Sequence, residues 1–308
     1  MQRQNVSRQK RRSSLSNETQ AYLMLSTQMI GFILFSVYPI LWIFRYAWYD
    51  YDGVTAAVNG FENFIRLFTR DPYFWRSLAN TFILSFGKLA IEIPLALSLA
   101  VILNSKLKGK GFFRTMFYMP NVVSVAIVGL IFSFMFDPFQ GIVNNMIFKI
   151  APTAQSINWF GGKWTAMIVI GIASIWQNFG VNMLFFLSGL QNIPGELYEC
   201  AMIDGAGKLK QFTGITIPML APTMKIIVML ALIGSLKVTD LVLVLTNGGP
   251  AGQTEVVMTY IFKHFFNYGG STVSAQIGYA SAMGMVTAII LAIVSFIYLR
   301  VTRSKDKT

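Results

Sequence analysis

Six stretches of this chain are each long and apolar enough to cross a lipid bilayer, and no other feature restricts the fold as much. They fall at about residues 22–46, 77–104, 112–136, 164–188, 223–246 and 276–300. Crossing about 30 Å of hydrocarbon takes roughly 20 helical residues. A backbone in lipid must satisfy its own hydrogen bonds, which leaves helices and closed barrels. Barrel strands run to about ten residues and alternate in polarity, and none of these stretches alternates. The expected fold is an all-α integral membrane protein with six transmembrane helices. Composition agrees: of 308 residues, 54% are hydrophobic and only 12% charged, about half the charged share of a soluble domain.

The net charge of +12 would suit a nucleic-acid partner if the basic residues formed one stripe. They sit instead at the ends of the apolar runs, so no nucleic acid is expected. One side of the membrane receives the N-terminal tail (Arg3, Arg8, Lys10, Arg11, Arg12), the second connection (Lys106, Lys108, Lys110, Arg114), the fourth (Lys208, Lys210, Lys225) and the C-terminal tail (Arg300, Arg303, Lys305, Lys307). The other receives only Arg45, Arg66, Arg70, Arg76, Lys149, Lys163 and Lys263. The positive-inside bias places both termini in the cytoplasm. The chain then divides into a basic cytoplasmic tail (1–20), a six-span domain (21–300) and a short cytoplasmic tail (301–308). The apolar run from Ala21 is too long for a cleaved signal and reads as a retained first span. Tyr46, Trp48, Tyr49, Tyr51, Tyr73, Phe74 and Trp75 bunch at span ends, where an interfacial aromatic belt belongs. Pro39, Pro94 and Pro120 lie in or near spans and are expected to kink them.

Catalytic chemistry has little to work with. Cys200 is the one cysteine and His264 the one histidine. No internal disulfide framework or zinc cluster can form, and nothing in the sequence sets a nucleophile beside His264. No metal and no cofactor are expected. A phosphate-cradling loop needs G-x-x-x-x-G-K-[ST]. Gly207-Lys208 is followed by Leu209, Gly162-Lys163 by Trp164, and Gly87-Lys88 by Leu89. The chain therefore has no Walker site for ATP hydrolysis.

The connection over 191–222 is long for a link between spans, and long loops tend to be functional. It reads as two short helices with a hinge. Asn192 is placed to cap the first helix and Pro194 to occupy its first turn. Leu197, Cys200, Ala201 and Asp204 share one face. Gly205 permits a tight turn. A second helix is expected from Ala206 or Gly207 towards Ile217, with Pro218 and Pro222 leading into the fifth span. Ala201, Gly205, Ala206 and Gly207 are small enough for close approach of a partner, and Glu196, Glu199 and Asp204 offer it carboxylates. This is a docking element rather than a catalytic one.

The same residues carry a family resemblance. Glu199-Cys200-Ala201, three residues, Gly205, nine residues, then Ile215-Thr216-Ile217-Pro218 resembles the EAA loop of membrane subunits of bacterial binding-protein-dependent ABC importers. That pattern reads E-A-A, three residues, G, nine residues, I-x-L-P; Cys200 and Ile217 depart from it by small apolar exchanges. Gly60–Phe64, Asp71–Trp75, Asn80-Thr81 and Thr246–Pro250 are similar to further family motifs and point to the carbohydrate-import branch, like maltose- and glycerol-phosphate-importer permeases. The resemblance implies a type I ABC importer permease in the bacterial cytoplasmic membrane. It also implies three kinds of partner: a second permease in a heterodimer, two ATP-binding-cassette ATPase subunits, and an extracytoplasmic substrate-binding protein. Glu199, Cys200, Ala201, Asp204, Gly205 and Ala206 would then seat the loop in an ATPase groove and transmit its closure to the spans.

Polar residues at membrane depth are costly and mark function by default. Lys88 and Glu92 are i, i+4 in the second span; Lys237 and Asp240 are i, i+3 in the fifth. Each pair either holds helices together or lines a pathway. Asn121 and Ser124 in the third span, and Gln177, Asn178 and Asn182 in the fourth, suit sugar hydroxyls because carboxamides donate and accept; they suit interhelical hydrogen bonds equally. Asn178 and Asn182 share a face, whereas Gln177 and Asn178 diverge by about 100°. Trp176 and Phe179 offer a stacking face. The candidate pathway is Asn121, Gln177, Asn178, Asn182, Lys237 and Asp240. The competing reading is an ATP-independent secondary transporter, but no internal repeat is visible. Scarce His and Cys argue against a membrane enzyme.

Overall fold

A computed structural model describes residues 19–105, 107–153, 155–266 and 275–303. Residues 1–18 of the expected N-terminal tail, Lys106, and residues 304–308 of the expected C-terminal tail lie outside the described residues. Five described helices are long and apolar enough to cross a membrane: Thr19–Trp48, Pro72–Asn104, Lys163–Gln191, Lys208–Leu236 and Ile277–Thr302. A sixth crossing exists only if the pair Lys110–Val122 and Val125–Met135, bent by 95°, counts as one span.

That bend interrupts the expected span over 112–136, and it falls after Val122 rather than at Pro120, which lies inside the first helix of the pair. Val123 and Ser124 leave the helical conformation, and the Ser124 side chain caps the second half through the Ile127 N–H. The carbonyl freed at Val123 accepts a hydrogen bond from Gln177 Nε2 at 3.2 Å. A broken backbone at membrane depth persists only where protein satisfies it. The fifth span departs as well. It starts at Lys208, well before residue 223, runs through Pro218 and Pro222, and ends at Leu236. A break at 237–239 precedes a short helix, Asp240–Leu245. Lys237 and Asp240 therefore flank a break instead of sharing a helix face, and they form no ion pair among the described residues.

Proline acts as its chemistry requires in the first span. Pro39 cannot donate to the preceding turn, and a π-helical stretch, Ile33–Val37, lies directly before it. At the start of the second span, Pro72 holds the first helical turn while the Asp71 carboxylate accepts from the Phe74 N–H at 3.0 Å.

Three apolar clusters run along the bundle. Leu67, Phe74, Val257, Tyr279 and Met283 pack at one end. Leu84, Val128, Phe132, Ile170, Ala173, Leu241 and Val242 pack next to it. Ala100, Leu103, Phe186, Leu187, Leu190 and Leu220 close the other end. The second and fourth spans therefore run in the same direction, with Asn104 and Gln191 at the same end of the bundle. Phe74 is wholly buried, so it belongs to the core rather than to an aromatic belt. Two glycines set close helix crossings. A Cβ on Gly180 would overlap the Phe117 carbonyl group, and one on Gly189 would lie 2.9 Å from Thr223 Cγ2.

The end opposite the 192–207 loop carries a small ribbon, Tyr49–Tyr51 paired antiparallel with Ala56–Val58, and the helices Glu62–Thr69, Ile142–Ile150 and Val257–Phe265. Asn63 donates to the Ala47 and Tyr49 carbonyls. Asn144 donates to Pro138, Ser156 and Ile157 and accepts from the Trp159 indole at 3.0 Å. Asp71 receives the hydroxyls of both Tyr260 and Tyr279. None of the apolar window of the first span is buried.

Candidate functional site

The two helix breaks meet at one cavity of about 660 Å³. Asn121, Val122, Val123, Ser124 and Val125 reach it from the first break, and Lys237, Val238, Thr239, Asp240 and Leu241 from the second. Lys88 and Glu92, one helical turn apart, present the second span to it. Ser174, Gln177, Asn178, Val181, Asn182 and Phe185 present the fourth, on the i, i+3, i+4, i+7 spacing of a single helix face. All six residues expected along a pathway, Asn121, Gln177, Asn178, Asn182, Lys237 and Asp240, line this cavity. A volume of this size lies within the range of small-molecule sites.

Side-chain bonds explain how adjacent Gln177 and Asn178 both reach the cavity. Gln177 stretches to the Val123 carbonyl, while Asn178 Nδ2 turns back to the Ser174 carbonyl at 2.8 Å. Asn182 Nδ2 donates to Glu92 Oε1 at 2.6 Å. Glu92 Oε2 stands 3.3 Å from Lys88 Nζ, at an angle outside hydrogen-bond geometry, so that contact is coulombic. Lys88 and Glu92 thus pair within their helix while also lining the cavity.

The expected stacking pair does not line it. Trp176 lies against Phe132, and Phe179 meets Phe117 edge-on at 6.0 Å. The aromatic that does line it is Phe185, 45% exposed. Phe185 was absent from the candidates, and its one signal is its spacing from Asn178 and Asn182.

The 192–207 loop holds a short helix, Gly195–Ile203. Pro194, not Asn192, occupies its N-cap position; Asn192 instead terminates the fourth span. Its C-terminus closes as a Schellman turn. Gly205, at φ +76°, donates to the Met202 carbonyl, and Ala206 donates to the Ala201 carbonyl at 2.8 Å. That left-handed position favours glycine, which has no Cβ to strain. Glu199, Cys200, Asp204 and Gly205 are exposed, and Ala201 and Ala206 half-buried. Large apolar side chains stand out beside them: Ile203 is 86% exposed and Leu209 77%. The expected second helix is the first part of the continuous fifth span. The Tyr198 hydroxyl bonds Thr216 Oγ1 at 2.9 Å and Gln211 Nε2 donates to the Ala206 carbonyl, tying the loop to the base of that span. Neither tie is legible in the sequence.

Residues 92–307 match the profile of a family described as the binding-protein-dependent transport system inner membrane component. The chain belongs to this family. The permease is 34% identical over 299 residues to the lactose transport system permease protein LacF of Rhizobium radiobacter, covering 96% of this chain and 98% of that one. It is 33% identical over 285 residues to the trehalose/maltose transport system permease protein MalF of Thermococcus litoralis, covering 92% and 93%. Its fold is similar to a chain of a bacterial alginate ABC transporter solved with a pentasaccharide-bound periplasmic protein, with TM-score 0.81, 24% identity, and coverage of 96% and 98%. The permease is thus the multi-pass membrane component of an ATP-binding-cassette importer and not its ATPase.

Proposed function

We propose that this permease moves a sugar or oligosaccharide through the cavity between the two helix breaks, by alternating access. The observation that carries the reading is the convergence of four carboxamides, three hydroxyls, two carboxylates and two ammonium groups on that one cavity at membrane depth. Polar groups there are costly unless used, and hydroxyl-rich cargo uses them. The names of the relatives support the same cargo. In this reading the chain crosses the bacterial cytoplasmic membrane six times, the bent pair counting as one span, with both termini in the cytoplasm. It forms a heterodimer with a second permease, rests on two ATPase subunits, and receives its sugar from an extracytoplasmic binding protein.

Coupling is assigned to the 192–207 loop. Glu199, Cys200, Ala201, Asp204, Gly205 and Ala206 seat it in the ATPase, with Ile203 and Leu209 supplying apolar contact. The ties from Tyr198 to Thr216 and from Gln211 to Ala206 make loop and fifth span move as one lever, and that span ends at the cavity wall. Glu199→Ala and Gly205→Val are expected to reduce uptake by reconstituted importer while leaving membrane insertion intact. Normal uptake by both variants would remove the coupling claim. Uptake by this chain alone in liposomes, without ATPase, would favour a secondary transporter instead.

A further inference from the structure

The helix Glu62–Thr69 turns polar side chains inward and leaves apolar ones outside. Asn63 and Leu67 are buried against the bundle. Arg66, on the same side, places its guanidinium carbon 4.0 Å from the centroid of the Tyr279 ring, and its Nη1 donates to Gln276 Oε1 at 2.9 Å. Phe61, Ile65 and Phe68 look outward, and they are 67%, 46% and 56% exposed. Their i, i+4, i+7 spacing makes them one stripe, which begins one residue ahead of the helix proper. A helix bathed in water on its outer side carries its polar residues there. This one offers three large apolar side chains instead.

Two tryptophans fix the depth of the helix. Trp48 ends the first span and Trp75 lies in the first turn of the second. The Phe64 and Trp48 ring centroids are 5.6 Å apart, as are those of Phe68 and Trp75. The Trp75 indole also donates to the Leu67 carbonyl at 3.1 Å. The helix therefore lies across two span ends, at the headgroup level that tryptophan prefers. Trp75 opens an exposed face of the second span on which Ala79, Ile83 and Phe86 follow at helical spacing. Through Phe68, the outward stripe of the short helix continues an apolar surface that already faces out of the bundle at membrane depth.

We infer that Glu62–Thr69 is an interfacial helix whose partner is the lipid surface. It lies in the leaflet at the end of the bundle opposite the 192–207 loop, with Phe61, Ile65 and Phe68 at the boundary of headgroups and acyl chains. Amphipathic helices occupy that boundary by burying an apolar face in it. The ion pair between Arg70 and Glu62, 2.8 Å long and exposed, stays on the wet side of the helix. Because Arg66 reaches Gln276 and Tyr279 from the opposite side, the lipid-held helix also steadies the start of the last span, Ile277–Thr302. The inference is independent of the proposed cargo.

Spin-label accessibility on the assembled importer in nanodiscs tests it. Phe61→Cys and Ile65→Cys are labelled separately in a complex whose other cysteines, Cys200 included, are replaced by serine, with no binding protein added. Val54→Cys, between the two strands of the ribbon and 90% exposed, is the water reference. Oxygen concentrates in hydrocarbon, whereas a water-soluble nickel chelate is kept out of it. The ratio of oxygen to nickel collisions is expected to rise well above the Val54 value at both positions. A ratio equal to that at Val54 would place the stripe in water, and a label that neither collider reaches would place it beneath a protein subunit; either result would overturn the inference. Both side chains are exposed, so neither substitution opens the core, and one position decides the matter if the other variant fails to assemble.

Discussion

Gly180→Ala is the most exacting test of how the bent third segment is held. The added Cβ would sit 2.8 Å from the Phe117 carbonyl carbon and 3.0 Å from Tyr118 Cα, with the Phe117 oxygen nearer still. Non-bonded carbons rest at about 3.5–4.0 Å, so the Lys110–Val122 helix must retreat from the Lys163–Gln191 helix by about 0.7 Å or more. The opposing atoms are backbone and cannot rotate away. Overpacking of this sort costs about 1–3 kcal/mol, and the lack of a movable side chain puts this site near 3. At about 2.1 cal/mol/K of unfolding entropy per residue, that is a fall in melting temperature of about 5 °C for a chain of this length, read by fluorescence-detected gel filtration of heated detergent samples. Gly87→Ala is the control, because a Cβ there meets nothing within 4 Å, and it should melt with the parent. A Gly180→Ala protein that melts together with Gly87→Ala would refute the close crossing. Retreat of this helix also carries Asn121 and Ser124 away from the cavity, so uptake should fall with stability.

Two further outcomes are expected at the opposite end of the bundle. Asn144→Leu strips the Trp159 indole of its acceptor and leaves the Ile157 carbonyl without its donor, while the Pro138 carbonyl keeps only the Ser156 hydroxyl, at a cost of about 3 kcal/mol; limited proteolysis between residues 137 and 161 should accelerate, and unchanged cleavage would dismiss Asn144 as the organiser of that loop. Burial pushes the His264 pKa down against the opposing pull of the Tyr260 carbonyl, Asp71 and Glu255, with Arg66 adding to the depression. The folded protein therefore binds this proton later than the unfolded chain, so stability is fullest above the ordinary histidine value of about 6.5 and declines as pH drops towards the depressed one. Melting at pH 7.5 and pH 5 should show that decline in the parent and a shallower one in His264→Gln; equal slopes would argue against it.

The apolar stretches were legible because hydrocarbon demands length and composition, and both are visible in a string of letters. The breaks within them were not. Ser124 is a good helix cap, as is the Thr239-Asp240 pair, yet a continuous apolar run conceals a change of direction. Hydropathy measures depth, not course, and so the third segment reads as one span kinked at Pro120 and the fifth as a span over 223–246. Phe185 escaped for a related reason: in a span that faces lipid on one side and protein on the other, a single aromatic residue carries no sign of which it meets. The polar residues were easier. Asn121, Gln177, Asn178 and Asn182 stand out against an apolar background, and the structure gathers them around one space. Which way each amide points depends on partners as remote in sequence as Glu92 from Asn182, and no local pattern encodes that.

The exposed Cys200 gives this importer a built-in reporter. It is the only thiol in the chain, and it stands on the short helix assigned to the ATPase. A maleimide dye will therefore mark that helix and nothing else in the polypeptide, with no engineering required. Its emission can follow the assembly and release of the motor in real time, and a membrane-impermeant version of the same dye reports which side of a sealed vesicle the helix occupies.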